Sequence, residues 1–289
     1  MQARVICIAN QKGGVGKTTT SINLSASLAE LGRQVLLIDM DPQGNASSGL
    51  GMKSHEYQEK NTYEMLVGLK SVDEVVSNTQ VKNLKLIVAT PDLVGAEIEL
   101  VGAENRAFKL KEALKESKHK FDYIIIDCPP SLGLLTLNSL VAADSFIVPL
   151  QCEYYALEGL SQLLNTAGII KKGQNPNLKI EGIVLTMFDG RNNLSHQVMS
   201  EIRTHFGDKV FNSIIPRNVR LSEAPSHGQS ILEYDSKSTG SLRYRGLAKE
   251  LDQRVFGSQT AEAMSIPTVS ARASSVVIPT GDGATHVEL

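Results

Sequence analysis

Residues 12–19, Lys-Gly-Gly-Val-Gly-Lys-Thr-Thr, have the composition and spacing of a phosphate-binding loop. Glycines let backbone N–H groups turn toward phosphate oxygens, and the amino end of a following helix adds partial positive charge. Lys17 would reach the β- and γ-phosphates of a nucleotide, and the Thr18 hydroxyl would help to hold Mg²⁺. This segment therefore predicts binding of a nucleoside triphosphate together with Mg²⁺.

The elements on either side of this loop support that prediction. Residues 4–9 form a short apolar run rich in β-branched side chains, which predicts a buried strand. Residues 18–31 place leucine and isoleucine side chains at helical spacing. Strand, glycine-rich turn and helix are the context in which such a loop binds phosphate.

A second acidic motif follows another predicted strand. Residues 121–127 are almost uniformly apolar up to Asp127, as burial on both faces of a parallel sheet requires. Ligands of open α/β sheets bind beyond the carboxyl ends of the strands. Asp127 is therefore placed to bind Mg²⁺ through water molecules, the role of a Walker B carboxylate. The alternative is a helix cap or turn residue, because Pro129 and Pro130 mark a turn.

Strand and helix patterns alternate along the chain. This rhythm predicts an α/β fold with a doubly wound, mostly parallel sheet and helices on both faces. Residues 210–215 are expected to form the last strand and 242–255 the last long helix. A single domain is predicted over residues 1–257, followed by a flexible tail over 258–289 that is rich in Ser, Thr, Ala, Pro and Gly.

Composition excludes several other classes of protein. The 289 residues are 42% apolar and carry a formal net charge of −2, so no global charge signal points to nucleic acid. The three cysteines form no C-x-x-C pair, which favours a reducing compartment over a disulfide or metal framework. Because the amino-terminal segment is itself a core strand, no signal peptide is expected. No apolar run approaches the length of a membrane span.

Four features together resemble one family. Gln11 stands where the ordinary phosphate-loop pattern has glycine, and Lys12 adds a lysine at the front of the loop. Residues 39–45 read Asp-Met-Asp-Pro-Gln-Gly-Asn, and a long segment, 215–228, begins Ile-Pro-Arg-Asn. Over about residues 3–256 the chain resembles the ParA-type (Soj-like) partition ATPases of the ParA/MinD group. The resemblance implies a P-loop NTPase fold of the deviant Walker A type, with ATP and Mg²⁺ as ligands. Because the chain starts at the phosphate-loop strand, the helix-turn-helix extension of larger ParA proteins and operator binding are not expected.

The resemblance also implies residue roles. Lys12 would reach across a dimer interface to the partner's nucleotide, Asp41 would polarise the attacking water, and Asp39 would help to organise the metal region. For Asp41 the alternative is a cap that opens the turn toward Asn45. The implied catalytic residues are Lys12, Lys17 and Asp41, and the implied metal residues are Thr18, Asp39 and Asp127. The implied nucleotide contacts are Gln11, Lys12, Gly13, Gly14, Val15, Gly16, Lys17, Thr18, Thr19, Met187, Pro216, Arg217 and Asn218, with Thr186 near the base.

For partners, the resemblance implies an ATP-state homodimer, a ParB-type protein and non-specific double-stranded DNA, with a cytoplasmic, nucleoid-associated location. Arg191 and Arg220 match family positions implicated in DNA binding, and phosphate neutralisation by arginine needs no base readout. The alternative for each is an ordinary solvated charge, because Lys/Arg and Asp/Glu are nearly balanced over residues 180–256. Secondary candidates are Lys171, Lys172, Lys237, Arg243 and Arg245.

Three other classes of protein share the phosphate-binding loop. MinD-like relatives end in a basic amphipathic helix that binds lipid, but the tail after Gly257 has one basic residue, Arg272, and two prolines. Membrane binding is therefore not expected, although a regulator that positions pole or division proteins stays open. Relatives of the nitrogenase iron protein share an iron–sulfur cluster through cysteines, whereas Cys128 suits buried packing. A metabolic P-loop enzyme would need a further cluster of substrate-binding groups, and the sequence shows none.

Overall fold

The protein is described by a computed structural model that covers residues 2–153, 155–257, 275–280 and 283–288. Apart from the last two segments, these residues form one α/β unit built on a seven-stranded sheet. The strands of this sheet are β1 (Arg4–Ile8), β2 (Val35–Asp39), β3 (Ser77–Asn78), β4 (Leu84–Ile87), β5 (Tyr123–Asp127), β6 (Ser145–Gln151) and β7 (Lys179–Thr186).

The strand order is β3-β4-β2-β5-β1-β6-β7, and every pairing is parallel except that of β3 with β4. The prediction of a doubly wound, mostly parallel sheet is confirmed. The phosphate-binding loop follows β1 near the middle of the sheet. Asp127 ends β5, the neighbour of β1, and Asp39 ends β2, the next strand beyond β5, in register with Asp127. Parallel pairing therefore places these groups at one edge of the sheet.

Twelve α-helices lie within the described residues. They are α1 (Lys17–Glu30), α2 (Asn45–Gly49), α3 (Thr62–Leu66), α4 (Val72–Val75), α5 (Leu93–Glu99), α6 (Lys109–Leu114), α7 (Leu134–Ala142), α8 (Ala156–Gly173), α9 (Asn193–Phe206), α10 (Val219–Glu223), α11 (Ile231–Tyr234) and α12 (Thr239–Asp252). None of these described helices is both long and apolar enough to cross a lipid bilayer.

The two faces of the sheet bury separate cores. Successive side chains of β1 alternate between them, so that Val5 and Cys7 join one core while Ile6 and Ile8 join the other. Helices α5 to α9 cover the first face, and α1 packs with α12 on the second. Burial on both faces explains why the central strands are almost uniformly apolar.

The prediction of a strand over residues 210–215 is wrong. The Phe211 and Ile215 N–H groups donate to the carbonyls of Ile183 and Leu185 in β7, each at 2.9 Å. Between them, the Asn212 and Ser213 N–H groups are bound by the Glu250 carboxylate instead. This side chain interrupts the ladder, so the segment makes only isolated bridges to its neighbours.

Most of the predicted tail, 258–289, lies outside the described residues. Two of its segments, β8 (Ser275–Thr280) and β9 (Gly283–Glu288), pair as antiparallel strands, which was not predicted. Helix α5 was not predicted either, because its apolar residues surround the helix rather than form one stripe.

Candidate nucleotide-binding site

The phosphate-binding loop has the backbone conformation that its glycines permit. Gly14 and Gly16 have φ values of +74° and +88°, a left-handed region that side chains with a Cβ rarely adopt. Gly16 directly precedes α1, so the loop ends at a helix amino terminus. The buried Thr186 hydroxyl donates to the Val15 carbonyl at 2.8 Å and joins the loop to the end of β7. Together these features present backbone N–H groups and a helix dipole to an anion.

Lys17 is the lysine inside this cradle. It is buried, and its Nζ donates to the backbone carbonyl of Lys12 at 3.2 Å across the loop. Burial lowers the pKa of the Lys17 ammonium, while the carboxylates of Asp127 and Asp41 oppose that shift. A phosphate group would add further negative charge here, so Lys17 is suited to the β/γ-phosphate role.

Lys12 lies on the outer side of the loop. Its Nζ forms an ion pair of 2.6 Å with Oε2 of Glu153, and both side chains are nearly half exposed. Its backbone N–H donates to Oδ1 of Asn10, whose amide in turn donates to the Pro149 carbonyl at the end of β6. The front of the loop is thus tied to β6, while the Lys12 ammonium stays accessible to solvent.

Asp39 organises the turn after β2. Its Oδ2 accepts from both the N–H and the hydroxyl of Ser47, at 2.8 and 2.7 Å, and its Oδ1 accepts from the Asp41 N–H at 3.2 Å. Burial raises its pKa to about 6, and the bonds from Ser47 limit the rise. With both oxygens engaged by the protein, Asp39 positions α2 and Asp41, and its role in the metal region stays a prediction.

Asp127 has an oxygen left for another ligand. Oδ1 accepts from the Ser21 hydroxyl at 2.7 Å, whereas Oδ2 is buried and has no hydrogen-bond partner among the described residues. Burial, followed by the neighbouring Asp39, raises the pKa of Asp127 to about 8, and the Ser21 and Thr18 side chains counteract the rise. An orphaned carboxylate oxygen close to a threonine hydroxyl fits Mg²⁺, which prefers oxygen ligands and retains several waters. Thr18 and Asp127 are the residues that would hold it.

A metal cage made by the protein alone is absent from the described part of the chain, where no three His, Cys, Asp or Glu side chains gather at one point. Phosphate oxygens and water would therefore complete the coordination, as is usual for Mg²⁺ in nucleotide sites.

Asp41 borders the open cleft in front of the loop. Asp41 is buried, with 7% of its surface exposed, and its Oδ1 accepts a hydrogen bond from the Gln43 N–H at 3.0 Å. The cleft measures about 450 Å³ and is lined by Gly13, Gly14, Gly16, Lys17, Thr18, Thr19, Asp41, Gln43, Asn45, Pro130 and Met187. Asp41 thus caps its turn and faces the phosphate cleft at the same time, so both predicted roles are compatible.

A second hollow of about 290 Å³ adjoins the cleft and shares Gly16, Thr19 and Met187 with it. Its further lining includes Pro216, Arg217 and Asn218. The Arg217 N–H donates to the Phe188 carbonyl and the Phe188 N–H to the Ile215 carbonyl, each at 3.1 Å. Met187 has a φ of +49°, which turns the chain at this point. The geometry brings the predicted base contacts beside the phosphate cleft.

The two predicted DNA-binding arginines lie outside this site, and each is paired with an acid. Arg191 is 90% exposed and forms a bidentate pair with Asp189 at 2.8 and 2.9 Å. Arg220 is 54% exposed, bonds Glu223 at 2.9 Å and approaches Asp235 at 3.6 Å. Both guanidinium groups are accessible, but neither is an isolated cation.

Several residues of the site were not predicted, among them Ser21, Ser47 and Glu153. Ser21 lies one helical turn after Lys17, so helical spacing indicated that both face the same side. Ser47 follows the recognised 39–45 segment by two residues and binds Asp39. Glu153 has no local signal, because it is 141 positions from Lys12 and meets it only through the pairing of β1 with β6.

Comparison with known proteins agrees with this geometry. A family model described as an AAA domain matches residues 3–180. The chromosome partitioning protein ParA of Myxococcus xanthus is 58% identical over 251 residues, covering 87% of this chain and 88% of that protein. The sporulation initiation inhibitor protein Soj of Bacillus subtilis is 57% identical over 248 residues, covering 86% and 98%.

Among solved structures, cobyrinic acid a,c-diamide synthase from Mycobacterium smegmatis with bound ADP and magnesium has a TM-score of 0.77 at 38% identity, covering 88% of this chain and 96% of that one. The septum site-determining protein MinD of Pyrococcus horikoshii, complexed with Mg-ADP, has a TM-score of 0.70 at 27% identity, covering 88% and 97%.

Proposed function

The chain belongs to the ParA/Soj family of chromosome-partitioning ATPases, and from this membership we propose that it is an ATP-gated dimer that binds DNA. ATP with Mg²⁺ joins two subunits, and the joined form holds non-specific double-stranded DNA and so stays on the nucleoid. A ParB-type partner stimulates hydrolysis, after which the subunits separate and leave the DNA. Repeated cycles of this switch drive segregation of a chromosome or plasmid.

Two charged side chains that line the cleft, Lys17 and Asp41, act in hydrolysis. Lys17 binds the β- and γ-phosphates, and Asp41 orients a water in line with the γ-phosphorus. Bound Mg²⁺ would neutralise charge that develops on the phosphate oxygens. Asp39 keeps Asp41 in place through the turn and through Ser47. Intrinsic turnover is slow, since a switch that hydrolyses quickly cannot keep its ATP state.

The observation that carries the proposal is the division of labour between the two lysines. Lys17 is buried in the phosphate-binding loop, where it can bind the phosphates of the nucleotide in its own subunit. Lys12 stands outside the cradle with its ammonium accessible, and its ion-pair partner is Glu153, also nearly half exposed. A cation in this place is available to the nucleotide of a second subunit.

DNA binding is assigned to Arg191 and Arg220. Each is at least half exposed, and the acids that they meet are also on the surface. Exposed ion pairs contribute little free energy, about 0–1 kcal/mol. A DNA phosphate can therefore replace Asp189 or Glu223 as the partner. Alignment of both arginines in a dimer would double the number of phosphate contacts, and affinity would depend strongly on salt.

The experiment is retention on DNA of random sequence, measured with ATP, with ADP and without nucleotide in the presence of Mg²⁺. We expect the protein to be retained on DNA with ATP, and not with ADP or without nucleotide. Equal retention under all three conditions would refute the switch. Absence of retention under all three conditions would instead favour a positioning regulator of other proteins or a metabolic enzyme. The latter is kept as the second candidate because of the 38% identity to the diamide synthase.

A further inference from the structure

Helix α5 and the turn after it carry apolar side chains on both sides. Leu93, Ala96 and Leu100 face the core and are buried. Val94, Ile98 and Val101 follow one another at helical spacing on the opposite side and are 50%, 71% and 61% exposed. Scattered exposed apolar residues are ordinary, whereas these three lie together on one helical face.

Most of the charge around this stripe is negative, and the exception is Arg106, whose Nη1 donates to the Val101 carbonyl at 2.7 Å. Between residues 91 and 105 there is no Lys or Arg, whereas Asp92, Glu97, Glu99 and Glu104 are all acidic. No ion pair within the described residues involves any of these four carboxylates. We call the stripe Val94, Ile98 and Val101, with the acids Asp92, Glu99 and Glu104, the α5 surface. An apolar stripe with an acidic border suits an apolar stripe with a basic border.

The α5 surface is connected to the hydrolytic site by two short routes. The N–H of Ala89, a few residues before α5, donates to the Ser47 hydroxyl, which donates to Asp39. On the other side, a Cβ on Gly133 would lie 2.6 Å from Oε1 of Glu97, so α5 packs closely against the loop after Asp127. That loop contributes Pro130 to the phosphate cleft.

We propose that the α5 surface is the docking site for a basic amphipathic helix of the ParB-type partner. This inference rests on the proposed function for the identity of the partner and goes beyond it in naming where the partner binds. Val94, Ile98 and Val101 bind the apolar side of the incoming helix, and the acidic border pairs with its lysine or arginine residues. Docking displaces α5. The displacement is transmitted through Ser47 and the 131–133 loop and changes the positions of the Asp39 and Asp41 side chains. The partner thereby accelerates hydrolysis without contacting the phosphates.

The test uses a fluorescein-labelled helical peptide of leucine and lysine, with the leucines along one side, and measures binding to the full chain by anisotropy. Ile98→Ser should weaken binding about tenfold, as loss of a central apolar contact does. Ile169→Ser on α8 is the matched control, because Ile169 is 69% exposed, and it should bind as the wild type does. Glu104→Lys should weaken binding and reduce its salt dependence. The corresponding leucine–glutamate peptide should not bind.

Both serine substitutions are on the surface and should leave the protein folded. Should Ile98→Ser nevertheless unfold, Val101→Thr removes apolar character with almost no change of shape. Equal binding by the Ile98 and Ile169 variants would overturn the proposal. If Ile98→Ser binds the peptide as the wild type does but no longer dimerises with ATP, the proposal is overturned as well, and the surface is assigned to a second copy of this chain.

Parallel DNA-retention measurements separate this inference from the proposed function. If the wild type fails to be retained on DNA with ATP while Ile98→Ser still loses the peptide, the DNA switch is wrong and the docking surface stands. If retention of the wild type on DNA depends on ATP but Ile98→Ser binds the peptide as tightly as the wild type does, only the proposed docking surface is wrong.

Discussion

Nζ of Lys12 lies 2.6 Å from Oε2 of Glu153 in the same subunit. The Glu153 carboxylate and the nucleotide of another subunit would be alternative acceptors for this ammonium group. The pair therefore competes with the dimer contact proposed for Lys12. Because both side chains are nearly half exposed, the competition is weak and reversible.

Glu153→Gln should make ATP-dependent dimerisation tighter. The amide removes the charge but keeps the size, and an exposed pair of this kind shifts an equilibrium by at most about fivefold. Two pairs open in each dimer, so the dissociation constant should fall by up to about 25-fold. Sedimentation velocity across a concentration series measures it. Glu158→Gln is the control, because Glu158 is exposed at the start of α8, five residues after Glu153, and lies outside the pair. A weaker dimer for Glu153→Gln would show that Glu153 supports the dimer rather than competing with it.

Asp41→Ala should retain ATP binding and dimerisation but lose at least about 100-fold in turnover, which is the usual effect of removing a group that orients or deprotonates the attacking water. Phosphate release measures turnover, and retention on DNA should be prolonged. Asp41→Asn serves as a second variant, because its side-chain oxygen can still accept from the Gln43 N–H. An asparagine variant that hydrolyses like the wild type would limit Asp41 to the turn.

Much of this site was predictable because its parts are local in sequence. Glycine spacing predicts the phosphate-binding loop. Apolar runs buried on both faces predict a mostly parallel sheet with strand ends at Asp39 and Asp127. Contacts between distant segments were not predictable. The pairing of Lys12 with Glu153 depends on the arrangement of β1 and β6. The failure of 210–215 to form a strand depends on a carboxylate from α12 that binds the backbone there.

Asp127 gives a prediction about pH for the protein without nucleotide or Mg²⁺. Burial raises its pKa to about 8 from an ordinary value of 3.8, and that of Asp39 to about 6. The folded state then binds protons that the unfolded state has released, so the free energy of unfolding should fall as pH rises from about 4 to 8. Asp127→Asn should make this fall shallower. Urea unfolding in EDTA at several pH values measures it, with the exposed Asp208→Asn as control. Parallel curves for wild type and Asp127→Asn would contradict the raised pKa.

Arg191→Ala and Arg220→Ala should each weaken binding to any duplex to a similar degree, whatever its sequence, and leave dimerisation intact. Each lost phosphate contact should flatten the slope of log affinity against log salt by about one unit. Gel-shift titrations at several salt concentrations measure the slope, with Arg203→Ala, exposed on α9, as control. Arg220 also forms ion pairs with Glu223 and Asp235, so its loss can affect stability. A thermal unfolding curve of Arg220→Ala is therefore measured to show that the variant is folded. An unchanged slope in a folded variant would remove that arginine from the DNA interface.

The most direct test of the ATP-gated dimer is sedimentation of Lys12→Ala in an Asp41→Ala background, where ATP is consumed too slowly to disturb the measurement. Asp41→Ala alone should sediment as a dimer with ATP and Mg²⁺ and as a monomer with ADP. The double variant should bind ATP with similar affinity, because Lys17 and the loop backbone are intact. It should nevertheless remain a monomer. A dimer of the double variant with ATP would contradict the central role of Lys12.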